Sequence, residues 1–294
     1  MRRQQLLFCA CLLRDSAAVA SISGRRLLEN TLDLLGSINP LYATSGLVLG
    51  FIVGLTGVGG GSLMMPILVL LFGIHPATAV GTDLLYAGVT KAVGTAVHGH
   101  NGAVSWRIVG LLAGVSVPAS AATLLVLNAL GPRTHATSAL ISFVLGFALV
   151  ATAASILLRG RLIALTQNAD ALPPARQAVL TVVTGAAIGV LVSISSIGAG
   201  AIGVTALYFL YPKLPAKTIV GSDIAHAVPL TLIAGSGYWL LGAVDWSMLA
   251  SLLVGSIPGI IAGSASAPRI PDRVLRPILA VVLALVGAKL VLSY

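Results

Sequence analysis

The sequence predicts an all-α integral membrane protein made of two inverted-topology repeats, and three observations carry this prediction. Of its 294 residues, 57% are hydrophobic and only 9% are charged, whereas about a quarter of a soluble domain is charged. The apolar stretches are long and unbroken, which fits membrane helices and not the alternating strands of an outer-membrane barrel. The second half of the chain then repeats the motifs of the first half.

The duplication appears as motifs that recur at a nearly constant offset. The glycine-rich stretch 50–61 matches 189–200, and Val80–Asp83 matches Val220–Asp223. Further matched pairs are Pro76-Ala77 with Pro215-Ala216, Gly102–Trp106 with Gly242–Trp246, and Ser116–Pro118 with Ser256–Pro258. Because Gly, Pro and Trp agree over a whole half, we expect membrane repeats at 41–158 and 178–294. A polar linker, 159–177, joins them on the cytoplasmic side.

Each repeat divides into five apolar segments. They are 41–57, 62–72, 77–97, 106–130 and 134–158 in the first repeat, and 178–194, 201–211, 216–241, 246–267 and 273–293 in the second. The first two segments of each repeat are together too long for one crossing, and each is short for a full span. Glycines separate them. We therefore expect a Gly-broken helix pair followed by about three transmembrane helices in each repeat.

The positive charge of the chain indicates a membrane orientation and no nucleic-acid partner. The formal net charge is +9, but the arginines stand singly between apolar segments. If each broken pair returns the chain to its starting side, most basic residues fall on one side, which favours inverted repeats with both termini outside. We expect a multi-pass protein of the cell inner membrane. Residues 1–40 are a separate extension, either a signal-like or disordered segment or the product of a misassigned start codon.

Two breaks in apolar helices form the candidate solute site. A helix start carries free N–H groups and about half a positive charge, and glycine lets a ligand reach that backbone. Two such ends, facing each other, suit a small anion. The alternative is that the glycines only permit tight helix crossings. The candidate substrate-binding residues are Gly57, Gly59, Gly60, Gly61, Ser62, Thr82, Ser195, Ser196, Gly198, Gly200 and Ser222.

Two carboxylates lie inside apolar segments at equivalent positions, Asp83 and Asp223. A carboxylate at membrane depth is costly, by about 2.5–3.5 kcal/mol on insertion scales, and usually faces a cavity or a partner. Lys91 lies about two helical turns after Asp83, and His226 about one turn after Asp223. We hypothesise that this group couples solute movement to protons. The alternative is a structural role, in which the carboxylates bond to Lys91, to His226 or to the broken-helix backbone.

The sequence gives less support to metal binding, catalysis or another function. His98 and His100, with Asn101, precede Trp106 in an interfacial turn, and no carboxylate or cysteine accompanies them as a metal ligand would. No nucleophile elbow, metalloprotease motif or phosphate loop is present, so we expect no enzyme, no cofactor and no bound metal. Two other functions stay open: a cation or metal-ion transporter that uses Asp83, Asp223 and His226, or a non-transporting scaffold or sensor. Small-residue faces fit packing within the chain and a homodimer equally well.

Several of these motifs resemble one known family. Gly57–Gly61, Pro66, Pro76–Thr82, Gly102–Trp106 and Pro118 look like the sulfite exporter TauE/SafE family. The resemblance spans about residues 41–294 and implies an inner-membrane permease with duplicated halves. It implies sulfite, sulfonates or sulfoacetate as solutes. Where many members read Gly-Thr-Ser, this chain has an aspartate, at Asp83 and again at Asp223. The added negative charge indicates either proton coupling or a different solute.

Overall fold

A computed structural model describes residues 38–56, 61–100, 102–131, 134–167, 173–266 and 272–292 of the chain. All regular structure in these residues is helical, so the predicted all-α fold is confirmed. The helices are α1 (Pro40–Thr56), α2 (Gly61–Pro66) with a π-helical turn (Ile67–Leu71), α3 (Pro76–His100), α4 (Trp106–Leu130), α5 (His135–Gln167), α6 (Pro174–Ser195), α7 (Ala201–Leu210), α8 (Ala216–Leu240), α9 (Trp246–Ser266) and α10 (Asp272–Leu292).

Proline sets several of these boundaries. Pro174 opens α6 at the first helical turn, where its missing N–H costs nothing and its fixed φ suits the helix. Pro66 ends the regular part of α2, because a proline ring inside a helix removes a hydrogen-bond donor. The chain then continues as a π-helical turn, in which the Phe72 N–H donates to the Ile67 carbonyl at 3.1 Å.

Five of the described helices are long and apolar enough to cross a bilayer. They are Trp106–Leu130, His135–Leu158, Pro174–Ser195, Ala216–Leu240 and Trp246–Gly263. Large apolar side chains such as Leu125, Phe147, Ile261 and Leu285 point outward and are exposed. Such a surface is stable against lipid, where a helix satisfies all its backbone groups internally. The protein is therefore a multi-pass integral membrane protein.

Two details differ from the sequence-based prediction. We expected both segments of each broken pair to be short, and for α6 this was wrong, because it has 22 residues and is long enough to cross. Its polar first turn hid its true length. The stretch 159–177 is also largely helical, since α5 continues to Gln167 and α6 begins at Pro174. The Arg, Leu, Ala and Gln residues there favour helix even where the chain becomes polar.

The two halves pack mainly on each other, and their main helix contacts are paired under the repeat. Helix α1 packs against α9, and its repeat equivalent α6 packs against α4. In the first pair the Cα of Gly50 lies against the backbone of Ser256, and in the second Gly189 lies against Ser116 in the same way. These four residues form two equivalent pairs under the sequence repeat. The duplication seen in the sequence is thus matched by the helix contacts.

The equivalent helices α3 and α8 run antiparallel across the centre of the molecule. Gly81 contacts Tyr238 while Gly88, further along α3, contacts Leu232, which is earlier on α8. Helices α5 and α10 are also packed together as an equivalent pair. Antiparallel contact between equivalent helices is the arrangement that an inverted repeat requires. The orientation of the halves relative to the two sides of the membrane stays a prediction.

Candidate functional site

The break between α6 and α7 has an unusual backbone. Ser196 caps α6 in the left-handed region, with φ 58° and ψ 3°, and its N–H donates to the Val192 carbonyl at 2.7 Å. Gly198 and Gly200 follow with φ values of 134° and 138°, which favour glycine. Within the described residues Ser196 is the only non-glycine residue with positive φ. Residues held in such conformations concentrate at functional sites.

Ser195 holds the chain in this break. Its Oγ donates to the Leu191 carbonyl at 2.7 Å and accepts the N–H of Ile197 at 3.2 Å. Ser195 is fully buried. The hydroxyl that the sequence suggested as an anion donor therefore stabilises the turn. The Ser196 hydroxyl is buried as well and forms no hydrogen bond with any described residue.

Lys91 reaches the break from α3. Its ammonium Nζ donates to the carbonyl oxygen of Ala199 at 3.0 Å. It is within electrostatic range of both Asp223 and Asp83, with Asp223 the stronger influence. The position equivalent to Lys91 in the second repeat is Thr231. The second repeat thus has no ammonium at that place, and Lys91 serves both carboxylates.

Asp223 belongs to α8, and its carboxylate lies at the start of α7. The backbone N–H of Gly200 donates to its carboxylate, while its Oδ1 lies against Gly203 and has no hydrogen-bond partner within the described residues. A Cβ on Gly203 would collide with Oδ1, so only glycine leaves room for the carboxylate there. A negative charge is stabilised at a helix N-terminus by the helix dipole. The helix start expected to hold a solute thus already holds a carboxylate of the chain itself.

Asp83, on α3, lies toward the Ser196 end of the break between α6 and α7. It is fully buried, and neither carboxyl oxygen has a hydrogen-bond partner among the described residues. The Ser196 hydroxyl approaches this carboxyl without forming a well-aligned hydrogen bond, and Lys91 is within electrostatic range. Three ionisable side chains therefore meet at this break. Ser196 faces Asp83, the Ala199 carbonyl accepts from Lys91, and the Gly200 N–H donates to Asp223.

His226 does not bond to Asp223, which was one structural role considered for it. Its Nε2 pairs with Ser116 Oγ of α4 at 2.8 Å, and its Nδ1 has no partner. The equivalent residue in the first repeat is Tyr86, whose hydroxyl lies beside Ser256, the equivalent of Ser116. The two halves thus place different polar groups at matching points. This makes the site chemically asymmetric.

Thr82 and Ser222 face the starts of helices in the opposite half. Thr82 Oγ1 accepts the backbone N–H of Asp245 at 3.1 Å, just before α9, and Ser222 Oγ accepts the N–H of Ser105 at 2.8 Å, just before α4. Both side chains are fully buried. Each hydroxyl thus satisfies a backbone donor at a helix start, a group that would otherwise be unpaired. Orientation of a solute by these two residues stays a prediction.

Some predicted site residues cannot be assigned a geometry. Gly57, Gly59 and Gly60 lie outside the described residues. Gly61 and Ser62 begin α2, and His98 and His100 end α3, but only their backbone is described. Among the described side chains, no group of three or more His, Cys, Asp or Glu residues comes together as a metal site would require.

A second polar cluster behind the break was not predicted. Ser193 Oγ on α6 donates to Ser120 Oγ on α4 at 2.6 Å. The Tyr238 hydroxyl on α8 donates to the Ser193 carbonyl at 2.9 Å. All three side chains are buried and join three helices directly behind the break. The only sequence signal for them was a polar side chain within an apolar helix.

Comparisons with known proteins agree with a membrane transporter. Residues 42–290 match the sulfite exporter TauE/SafE family. The chain is 39% identical to the probable membrane transporter protein YjnA of Bacillus subtilis (strain 168), over 84% of this chain and 97% of that protein. It is 28% identical to a probable membrane transporter protein of Xylella fastidiosa (strain 9a5c), over 76% of this chain and 83% of that protein. No solved structure matches it. The chain belongs to the sulfite exporter TauE/SafE family of membrane transporters.

Proposed function

We propose that this membrane transporter is a secondary permease of the cell inner membrane that carries a small anion together with protons. Sulfite, a sulfonate or a related organic anion is the solute class. The observation that carries the proposal is Lys91, a part-buried lysine whose ammonium is hydrogen-bonded at 3.0 Å to the backbone of a broken membrane helix. A cation at membrane depth is costly, and such groups mark solute pathways. The family match supports the same solute class.

The charge balance of the site supports proton coupling. Asp83 and Asp223 surround Lys91 from the two ends of the break. With all three groups ionised the site carries one net negative charge, which opposes an entering anion. One proton on either carboxyl makes the site neutral, and a second proton makes it positive. Because a buried charge needs compensation, we expect each anion to enter with at least one proton.

Flux into proteoliposomes under an imposed pH gradient tests this proposal. Sulfite, a sulfonate and a divalent metal ion are compared, with the wild-type protein and an Asp83→Asn/Asp223→Asn variant. We expect anion flux that follows the pH gradient, and loss of that dependence in the double variant. Anion flux with unchanged pH dependence in the variant would remove the coupling. No flux of any solute would favour a scaffold or sensor.

Lys91→Met gives an independent test of the same site. Methionine keeps the length of the side chain but removes the ammonium, so the anion loses its charged partner. We expect anion flux to fall by about a hundredfold or more, since the lost interaction is between charges in a dry site. The exposed Lys213→Met is the matched control, because it removes a lysine outside the site. Equal flux in both variants would contradict a role for Lys91 in anion binding.

One observation favours a cation as the alternative solute. Both Asp83 oxygens and one Asp223 oxygen are buried acceptors that no described residue hydrogen-bonds. Carboxylate oxygens are ligands for cations, and His226 lies on the same helix as Asp223. Metal flux without anion flux in the same experiment would establish this alternative and reject the anion permease.

A further inference from the structure

We propose that the ionised carboxylate of Asp223 occupies the binding position of the transported anion, so that the anion enters only after Asp223 has taken up a proton. This inference rests on the proposed function and assigns the proton to one of its two carboxylates. It also assigns a solute class: a single-centre oxyanion of carboxylate size, bound by the start of α7 and by Lys91. The Asp223 carboxylate thus competes with the solute for this position.

The start of α7 has the features of an anion position. The helix has ten residues, and the Gly200 N–H points at its occupant. Gly203 has no side chain on the same side, and Asp223 Oδ1 lies directly against its Cα. Lys91 is bound one residue away, at the Ala199 carbonyl. A backbone donor, a helix start and an ammonium are the groups that recognise oxyanions in proteins.

The unpaired oxygen atoms show that the present occupant leaves this position incompletely satisfied. Asp223 is 1% exposed, yet its Oδ1 has no hydrogen-bond partner among the described residues. A buried acceptor without a donor destabilises the arrangement that holds it. Nearby, both oxygens of Asp83 and the Ser196 hydroxyl are also buried without partners in the part of the chain that the structure describes. A proton on a carboxyl, or a solute between these groups, would supply what is missing.

Few other charges face Asp223, so its competition with the anion depends on Lys91. Lys91 and, beyond it, Asp83 come from α3, and His226 follows on α8 itself with its Nε2 on Ser116. The described part of α7 offers only Tyr208 as a titratable group, and Arg107 of α4 and Arg176 of α6 are exposed at the ends of their helices. The Gly200 N–H and the space beside Gly203 can hold one anion at a time. Ionised Asp223 and a bound solute therefore exclude each other.

The contrast with Asp83 makes the inference testable. Lys91 binds the break of the second repeat, and the position equivalent to Lys91 in that repeat is Thr231. Lys91 is near both carboxylates, but Asp223 meets the Gly200 N–H and Gly203 at the start of α7, whereas Asp83 faces the Ser196 hydroxyl at the other end of the break. We expect proton-linked competition at Asp223 and not at Asp83, although the two residues are equivalent in the repeat.

Calorimetric binding of methanesulfonate to the purified full chain tests this. A sulfonate keeps its charge from about pH 5 to about pH 9, so only the protein titrates. In the wild type we expect affinity to fall about tenfold per pH unit over the upper part of this range, which corresponds to one proton per anion. Asp223→Asn should bind with the same affinity at every pH, and Asp83→Asn should keep the wild-type slope. Titrations in two buffers of different ionisation enthalpy should give one proton per anion for the wild type and none for Asp223→Asn.

The outcomes separate this inference from the proposed function. Retention of the slope in Asp223→Asn, or its equal loss in Asp83→Asn, would overturn the inference and leave an anion permease in place. Absence of binding by the wild type at every pH, for methanesulfonate and for sulfite, would overturn both. Asp223→Ser carries the same expectation as Asp223→Asn, and size-exclusion chromatography identifies whichever variant folds.

Discussion

A buried imidazole and a buried hydroxyl pair between α4 and α8, where His226 Nε2 meets Ser116 Oγ. His226 is fully buried, and among the described residues its Nδ1 has no partner and Ser116 provides the only hydrogen bond to its ring. Ser116→Ala should destabilise the protein by about 1–3 kcal/mol, because it leaves a buried ring nitrogen unpaired. The free energy of unfolding in detergent measures this change.

Ser142→Ala is the matched control for that prediction. Ser142 is as deeply buried, but its hydroxyl has no hydrogen-bond partner in the part of the chain that the structure describes. Its removal leaves nothing unpaired, so we expect a change within about 0.5 kcal/mol. Equal losses in the two variants would mean that the Ser116–His226 pair contributes no more than a buried hydroxyl does by itself.

Gly203 decides whether an anion fits at the start of α7. A methyl group in Gly203→Ala would collide with Asp223 Oδ1 and with any oxyanion in its place. Because alanine favours helix, α7 itself should form at least as well. We expect sulfite flux to fall at least about tenfold at every pH, since the blocked contact is with a charged ligand. Gly110→Ala, on an open face of α4, should transport like the wild type. Normal flux in Gly203→Ala would exclude the anion from this position.

At the scale of elements, the helix starts join the two halves. Thr82 and Ser222 each accept the first free N–H of a helix in the other half. Thr82→Val and Ser222→Ala should each cost about 1 kcal/mol of stability, and the two losses should add because the sites are separate. We expect the apparent KM for the anion to stay unchanged. A raised KM without a stability loss would instead support the orienting role inferred from the sequence.

Elements were more predictable from sequence than the contacts between them. Helix starts at Trp106, Ala201, Ala216 and Trp246 agree with the predicted segments, because apolar windows and proline or glycine boundaries are local features. Ionisable residues within apolar segments pointed to Asp83, Asp223 and Lys91. The partners of Thr82 and Ser222 were not foreseeable, since they depend on which helix of the other half packs nearby. For the same reason, the contact of the Asp223 carboxylate with the start of α7 could not be predicted without the folded structure.

At the scale of the whole molecule, cross-packing makes each half incomplete without the other. The break of the second repeat receives Lys91 and Asp83 from the first, while α1 and α6 pack on helices of the opposite half. A single ammonium serves two equivalent carboxylates, so a symmetric scaffold holds an asymmetric site. This arrangement allows a proton at one carboxyl to affect a solute bound by both halves.

Inverted orientation of the repeats gives the last prediction, because equivalent residues must then face opposite sides of the membrane. Trp106 and Trp246 are equivalent, begin α4 and α9, and are 64% and 53% exposed. The chain has two cysteines, Cys9 and Cys11, so a Cys9→Ser/Cys11→Ser background permits single-cysteine reporters at each position. With a membrane-impermeant maleimide on intact cells, Trp246→Cys should react directly and Trp106→Cys only after permeabilisation. The reason is the excess of basic residues on the side of Trp106. Labelling of both from the same side would contradict the inverted orientation of the repeats.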